Sequence, residues 1–280
     1  MKTIYQSPQN NYEVIEPIGE GGTATVFKAI CVENQQEVAL KVFHSHLTIE
    51  ETNTECVDEL VALSTVTHTN IVSTIDAGLS GDNKFIVMEL LNGADLELFL
   101  PDCQFKAPHF LSFAYQSLSA LTEIHSHGVY HLDIKPSNIM MSTDENGNML
   151  VKLVDFGSAR TKSSTHFDRD VGKRGLKGSI HYMSPEQINK EAVDHRSDIY
   201  SLGCVFYRIL TGKIAFSGSS AVEVMSSHIQ GKYTPILELA PQWPQSIATI
   251  VELMIATKPD DRPSSITEIL NMMLVMKAAS

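Results

Sequence analysis

Eight residues, HLDIKPSN at 131–138, place an acid, a base and an amide within six positions of one another. Asp133 can accept a proton, Lys135 can neutralise negative charge, and Asn138 can offer a hard oxygen to a metal ion. Pro136 disfavours helix for the residue before it, so the stretch is predicted to be a loop. A polar surface loop can have the same composition, so the octet alone does not predict a function.

A glycine-rich turn, IGEGGTATV at 18–26, lies near the start of the chain. Gly19, Gly21 and Gly22 stand between two predicted strands, where bare backbone can approach a phosphate closely. The third glycine of a G-x-G-x-x-G pattern is replaced by Ala24. Glycine turns are also common in ordinary hairpins, so both interpretations stay open here.

Lys41 interrupts the apolar strand VALKVF. Its ammonium either snorkels from the sheet edge or pairs with a carboxylate from another element. Glu59, on a helix predicted after this strand, is the best candidate partner. Glu55 is the rival, but with Thr52 it has the spacing of a capping box, which gives it a local role.

Further along, VDFG places Asp155 at the end of a short strand, where simple turn chemistry is an alternative to a site. The segments YMSPEQ at 182–187, DIYSLG at 198–203 and PDDRPS at 259–264 precede or open predicted helices. Each is unremarkable alone, because Ser-Pro-Glu is an ordinary helix start.

The elements that must position these groups change character along the chain. Strand-like runs dominate to about residue 91, at 12–18, 23–30, 37–43, 71–78 and 84–91. Beyond the LNG break, an apolar stripe beginning at Phe110 predicts a long helix. Helices are also predicted at 194–211, 219–230, 244–256 and 264–276. The pattern indicates an α+β protein with two lobes.

Taken in order, these motifs resemble the signature set of eukaryotic-type (Hanks-type) serine/threonine protein kinases. The resemblance covers about residues 12–276, and the segments YMSPEQ and DIYSLG are most similar in sequence to bacterial members of the family. It implies a first lobe of antiparallel sheet plus one helix at 11–91 and a mainly helical second lobe at 92–280. Residues 1–10 are expected to be a polar leader.

The resemblance implies transfer of the γ-phosphate of ATP to serine or threonine hydroxyls of a protein, with the kinase itself as a further substrate. The metal would be Mg²⁺, which Mn²⁺ could replace. The catalytic residues implied are Asp133, Lys135, Lys41 and Glu59, and the metal ligands are Asn138 and Asp155. The implied nucleotide contacts are Ile18, Gly19, Gly21, Gly22, Val26, Ala39, Lys41, Met88, Glu89, Leu91, Asp95 and Met140.

Two positions depart from the family pattern. Ala24 in the phosphate-binding turn predicts a stiffer lid that still binds. Leu132 stands where many relatives have an arginine that grips a phosphorylated activation loop, a bond worth about 1.5–3 kcal/mol. We therefore expect that phosphorylation of this loop is not the main switch. The alternative is that other basic residues capture a loop phosphate: Arg160, Lys173, Arg174 or Lys177.

Structural anchors are also implied. Glu186 would pair with Arg262, Asp198 would hold the backbone of the HLDIKPSN loop, and Ser179 would support that loop. A pseudokinase that binds nucleotide as a scaffold is one rival, disfavoured because Lys41, Asp133 and Asp155 are all present. A small-molecule phosphotransferase is the other, and it generally lacks the SPE and DRP anchors.

Composition narrows the partners and the location. The 280 residues carry a formal net charge of −12, which argues against broad binding to nucleic acid or anionic membranes. The longest apolar run, at 200–210, is too short to cross a bilayer. The four cysteines form no CxxC pair and are typical of a reducing compartment. A cytoplasmic protein is the expectation.

Overall fold

The computed structural model describes residues 3–44, 59–101, 105–161 and 180–279. A six-stranded antiparallel sheet with a helix forms the first lobe, and the second lobe is mainly helical. The predicted α+β, two-lobe architecture is thus confirmed. The predicted capping box at Thr52 and Glu55 lies outside the described residues.

The sheet of the first lobe has the strand order β1-β2-β3-β4-β6-β5. The strands are β1 (Ile4–Gln6), β2 (Asn11–Glu20), β3 (Ala24–Cys31), β4 (Glu37–Phe43), β5 (Thr74–Ser80) and β6 (Asn83–Glu89). The helix α1 is described over residues 59–65. Every neighbouring pair of strands is antiparallel; hairpins join successive strands from β1 to β4 and from β5 to β6, whereas α1 and β5 lie between β4 and β6 in the chain.

Strand β4 is buried on both faces, which explains its nearly continuous apolar sequence. On one face Leu40 and Val42 pack in a small cluster with Tyr12. On the other face Ala39 and Phe43 join the main core. The period-two alternation of a strand divides these residues between the two clusters.

Residues 4–6, expected within a polar leader, instead form the edge strand β1 and pair with β2. The segment that follows is fixed by Asp76, which accepts hydrogen bonds from Ser7 Oγ at 2.6 Å and Tyr12 OH at 2.7 Å. A three-residue edge strand depends on its partner strand more than on its own pattern, so local sequence gave no signal.

The second lobe is built on the long helix α3 (Ala107–Ser126), whose buried face includes Phe110, Phe113, Leu118 and Leu121. This is the apolar stripe that the sequence predicted. The other helices are α2 (Leu96–Phe99), α4 (Pro185–Asn189), α5 (His195–Thr211), α6 (Ala221–Gln230), α7 (Ile236–Leu239), α8 (Gln245–Met254) and α9 (Ile266–Ala279). The four longer predicted helices therefore match α5, α6, α8 and α9.

Two small sheets belong to the second lobe. One contains β7 (Gly93–Asp95), β9 (Ile139–Thr143) and β10 (Met149–Leu153) in the order β10-β9-β7. The other pairs β8 (Val129–Tyr130) with β11 (Arg160–Thr161). Gly93 lies so close to the Met141 carbonyl that a Cβ atom would collide with it, which explains the glycine in the LNG break.

Within the described residues, no helix is both long and apolar enough to cross a membrane.

Candidate active site

The centre of the candidate site is a cluster of three charged side chains from three elements. Lys41 Nζ on β4 lies 2.7 Å from Glu59 Oε2 on α1 and 2.7 Å from Asp155 Oδ1, just after β10. Glu59 is fully buried, whereas the side chain of Asp155 is 47% exposed. The sequence prediction that Lys41 pairs with Glu59 agrees with this geometry, and the snorkelling alternative does not.

The charged groups in this cluster shift one another's pKa values. Burial alone would lower the pKa of Lys41, but the nearby carboxylates of Asp155 and Glu59 outweigh it and raise that pKa. The ammonium in turn lowers the pKa of Asp155 to about 2. Burial raises the pKa of Glu59, against the influence of Lys41. At neutral pH the cluster therefore holds a cation beside an accessible carboxylate.

The HLDIKPSN loop forms a second polar group. Lys135 Nζ donates to Asp133 Oδ2 at 2.6 Å, and Asn138 Nδ2 donates to the same oxygen at 3.0 Å. Asn138 Nδ2 also donates to the Asp133 carbonyl at 2.9 Å. Because Nδ2 makes both of these bonds, Oδ1 is the side-chain atom of Asn138 that can act as an acceptor or a metal ligand. Pro136 opens a short 3-10 turn over Pro136–Asn138, as expected for a loop.

Asp198, at the start of α5, fixes the backbone of this loop. Its fully buried carboxylate accepts hydrogen bonds from the His131 N at 2.9 Å, the Leu132 N at 2.7 Å and His125 Nε2 at 2.9 Å. Gln187 Nε2 donates to the Leu132 carbonyl at 2.9 Å from the other side. The predicted anchoring role of Asp198 agrees with these bonds, and so does the bidentate Glu186–Arg262 pair, at 2.7 and 2.8 Å.

Leu132 and Asp155 both have a φ of 61°, in the left-handed region that non-glycine residues seldom adopt. Each such residue costs on the order of 1–3 kcal/mol and persists where the surroundings hold it. Asp198 and Gln187 hold Leu132, and Lys41 holds the side chain of Asp155.

The two charged groups are linked through the backbone. Val154 N donates to the Asn138 carbonyl at 3.0 Å, so the residue before Asp155 is tied to the end of the loop. The ring of His131 packs against Phe156, with centroids 4.7 Å apart. The loop and the end of β10 therefore form one unit beneath the sheet.

Several of the predicted nucleotide-contact residues are paired in strand register. Val26 is opposite Lys41, Ala39 is opposite Met88, and Asp95 is opposite Met140 in their strand registers. Ile18 and Gly19 lie in β2, and the turn of Gly21 and Gly22 is closed by a 2.9 Å bond from Gly21 N to Ala24 O. Glu89 ends β6, and Leu91 lies between β6 and β7.

The oxygen donors of this site fit a hard divalent cation bound together with phosphate. Asp155 offers a carboxylate and Asn138 an amide oxygen, which suit Mg²⁺. Among the described residues, no group of three or more His, Cys, Asp or Glu side chains could hold a metal alone. A metal supported by only two protein ligands would take its remaining ligands from water and phosphate, as Mg²⁺ usually does.

Three residues near the site were not predicted as part of it. His125 bonds Asp198, Gln187 bonds Leu132, and Lys152 on β10 bonds Glu89. For Lys152 the sequence did hold a signal, since it interrupts the apolar strand MLVKL as Lys41 interrupts β4. Ser179 and the loop residues Ser163, Ser164, Thr165, Lys173, Arg174 and Lys177 lie outside the described residues.

Comparison with known proteins gives consistent matches. The family described as "Protein kinase domain" matches residues 12–275. Serine/threonine-protein kinase pkn3 of Myxococcus xanthus is 35% identical over 262 residues, covering 91% of this chain and 48% of its own length. A probable serine/threonine-protein kinase of Clostridium acetobutylicum is 34% identical over 264 residues, covering 94% and 39%.

Serine/threonine-protein kinase PrkC of Bacillus subtilis is also similar, with 34% identity over 253 residues that cover 90% of this chain and 38% of that protein. The chain thus spans less than half the length of these three curated relatives.

Proposed function

Because the chain belongs to the protein kinase family, whose bacterial serine/threonine members it resembles as predicted, we propose that it transfers the γ-phosphate of ATP to serine or threonine hydroxyls of a protein. The observation that carries the proposal is the Lys41 ammonium 2.7 Å from both Glu59 and Asp155, in one structure with the bonded group of Asp133, Lys135 and Asn138. Substrates would include its own chain. We assign the kinase domain to residues 12–276, with lobes at 11–91 and 92–280.

The nucleotide would lie between the lobes. Its adenine would pack between Val26, Ala39 and Met140, with Met88 behind it. The backbone of Glu89 and Leu91 would bond the adenine edge, and Asp95 would bond the ribose. Ile18, Gly19, Gly21 and Gly22 would cover the phosphates with backbone N–H groups. Lys41, oriented by Glu59, would neutralise charge on the phosphates.

Asp155 and Asn138 are the residues that would hold Mg²⁺, or Mn²⁺ in its place. A bound divalent ion supplies neutralisation of the charge that develops on the phosphates. The partly exposed side chain of Asp155 and the use of Asn138 Nδ2, not Oδ1, in the bonds to Asp133 support this assignment.

Asp133 would orient the acceptor hydroxyl and take its proton, while Lys135 would neutralise charge near the transferring group. Their 2.6 Å hydrogen bond supports a shared position for both on the acceptor side. Phosphoryl transfer depends mainly on such positioning, because the protein itself forms no covalent bond.

We also propose that activation does not strictly depend on phosphorylation of the loop after Asp155. Leu132 offers only an apolar side chain where a phosphate-gripping cation would be needed. Its backbone is held by Asp198 and Gln187, neither of which requires a phosphate. A cytoplasmic location, with no binding of nucleic acid or membrane, stays a prediction.

The decisive experiment follows ³²P transfer from labelled ATP, with mass-spectrometric mapping of the modified residues. Wild type should label serine or threonine on itself and on protein acceptors. Asp133→Ala should bind nucleotide as wild type does, measured by calorimetry, yet transfer phosphate at least about 100-fold more slowly. A wild type that binds nucleotide but transfers nothing would instead favour the pseudokinase scaffold.

A further inference from the structure

Lys152 is, with Lys41, one of two buried lysines among the described residues. Among the lysines that the structure describes, Lys41 and Lys152 are the two that are less than a tenth exposed, at 7% and 8%. A buried ammonium is unfavourable unless it is paired. Lys152 Nζ lies 2.7 Å from Glu89 Oε1 and also donates to the Ile71 carbonyl at 3.4 Å. The charge is therefore compensated by a partner 63 positions away in sequence.

Glu89 is held at both its side chain and its backbone. Its Oε1 accepts a second hydrogen bond, from Ser73 N at 2.8 Å, and its own N donates to the Ser73 carbonyl at 3.0 Å. The carboxylate thus lies between Ser73 and Lys152. Rotation of the backbone at Glu89 would break these bonds together.

The ion pair joins the two sides of the proposed adenine pocket. Lys152 belongs to β10, where it is directly opposite Met140 on β9 and three residues before Asp155. Glu89 ends β6 and follows Met88. A single side chain therefore links the strand beneath the pocket to the segment that connects the lobes.

We propose that Lys152 is a positioning residue for nucleotide binding. Its ion pair with Glu89 fixes the backbone of residues 89–91 at a set distance from Met140, so the adenine pocket exists before ATP arrives. This inference rests on the proposed function, because it assigns the adenine edge to that backbone. Loss of the pair would remove preorganisation, which lowers affinity without altering the groups that transfer phosphate.

The test compares Lys152→Met with Lys84→Met. The control also replaces a lysine by methionine, but at the start of β6, whereas Glu89 ends that strand. For each variant, kcat and the KM for ATP are measured with a peptide acceptor. The Kd for ADP is measured by titration calorimetry. We expect Lys152→Met to raise KM and Kd about five- to tenfold and to leave kcat at saturating ATP within about twofold of wild type. Lys84→Met should match wild type in all three.

Glu89→Gln removes the same ion pair from the other partner, while the glutamine amide oxygen can still accept the hydrogen bond from Ser73 N. Like Lys152→Met, it should raise the Kd for ADP. The double variant Lys152→Met/Glu89→Gln should be no weaker than Lys152→Met alone, because both changes remove one interaction. If Lys152→Met does not fold, Glu89→Gln alone decides the matter.

A change in Kd below twofold in the folded variants would overturn the proposal. So would a fall in kcat that matches the rise in KM, because that pattern indicates general structural damage. Additive effects in the double variant would also overturn it. A wild type that transfers no phosphate would instead refute the proposed function, and the Kd for ADP would still test the role of Lys152.

Discussion

Lys41 is the residue on which the geometry of the candidate site most depends, because its ammonium is shared between two carboxylates. Glu59 has no exposure to water, so its charge is compensated inside the protein. The side chain of Asp155 is partly exposed. One lysine therefore stabilises a buried helix residue and also holds Asp155 in a backbone conformation that is unfavourable by itself.

Removing the Lys41 cation should lower the free energy of unfolding, and a second substitution should restore part of that loss. Lys41→Met leaves Glu59 buried without its partner and is expected to lower the free energy of unfolding by about 3–5 kcal/mol. Adding Glu59→Gln removes the unpaired charge, so the double variant should recover at least half of that loss. Urea denaturation followed by circular dichroism measures both.

Lys28→Met is the matched control, since Lys28 pairs with Glu37 at 2.6 Å on the more exposed surface of the sheet. That pair should contribute no more than about 1 kcal/mol. The explanation fails if Lys41→Met costs no more than the control, or if Glu59→Gln adds to the damage.

At the scale of elements, the helices and strands that the sequence predicted are those with a strong local pattern. The apolar stripe of α3 reports one buried helix face, and the nearly continuous apolar run of β4 reports a strand that is buried on both faces, so their positions were predictable. Edge strand β1 was missed because pairing with β2 decides it. The helix α2 was also not predicted; Asp95 caps it by accepting from Leu98 N at 3.1 Å.

Motif order predicted the charged residues that the structure brings together and the anchors Asp198 and Glu186–Arg262, but it did not predict the ion pair of Lys152. Lys41 and Lys152 look alike in sequence, as single lysines in apolar strands. The sequence offered Glu59 as the candidate partner of Lys41, whereas only the three-dimensional structure shows that the partner of Lys152 is Glu89. Pairing across long sequence separations has no local signal.

The loop after Asp155 is the element whose regulation can be tested most directly. Replacing Thr161, Ser163, Ser164 and Thr165 together by alanine should leave at least half of the initial rate of phosphate transfer. The reason is that Leu132 cannot form the charge-assisted bond that a phosphorylated loop would need. The rate is compared with that of wild type before and after phosphatase treatment, with phosphate content measured by mass spectrometry.

A tenfold or larger fall in both the alanine variant and the phosphatase-treated wild type would contradict this expectation. It would point to capture of a loop phosphate by Arg160, Lys173, Arg174 or Lys177.

At the scale of the whole molecule, buried polar groups tie distant segments of the second lobe together. Arg262 donates to Glu186 from both Nη atoms, to the Arg196 carbonyl at 2.9 Å and to the Ala256 carbonyl at 2.8 Å. It also lies 4.6 Å from the ring centroid of Tyr200. Such a planar, fully bonded guanidinium joins α4, α5 and the end of α8 in a way that lysine could not reproduce.

His228 on α6 makes the stability of the whole fold depend on pH. Its ring is fully buried, bonds the Tyr200 hydroxyl through Nδ1 at 2.7 Å and packs 4.2 Å from the Phe216 ring centroid. Burial, with a smaller effect of His181, lowers the pKa of His228 to about 3 from 6.5. The imidazole is therefore neutral in the folded protein.

Because the pKa is lower in the folded state, the unfolded chain binds more protons and stability falls as the pH drops from about 6.5 towards 3. Between pH 7 and pH 5 this group alone should remove about 2 kcal/mol from the free energy of unfolding. His228→Gln should remove that dependence, since glutamine does not titrate. Urea denaturation at both pH values compares it with wild type and with His127→Gln, where the side chain is 42% exposed. Equal pH dependence in wild type and His228→Gln would show that the buried imidazole is not the group responsible.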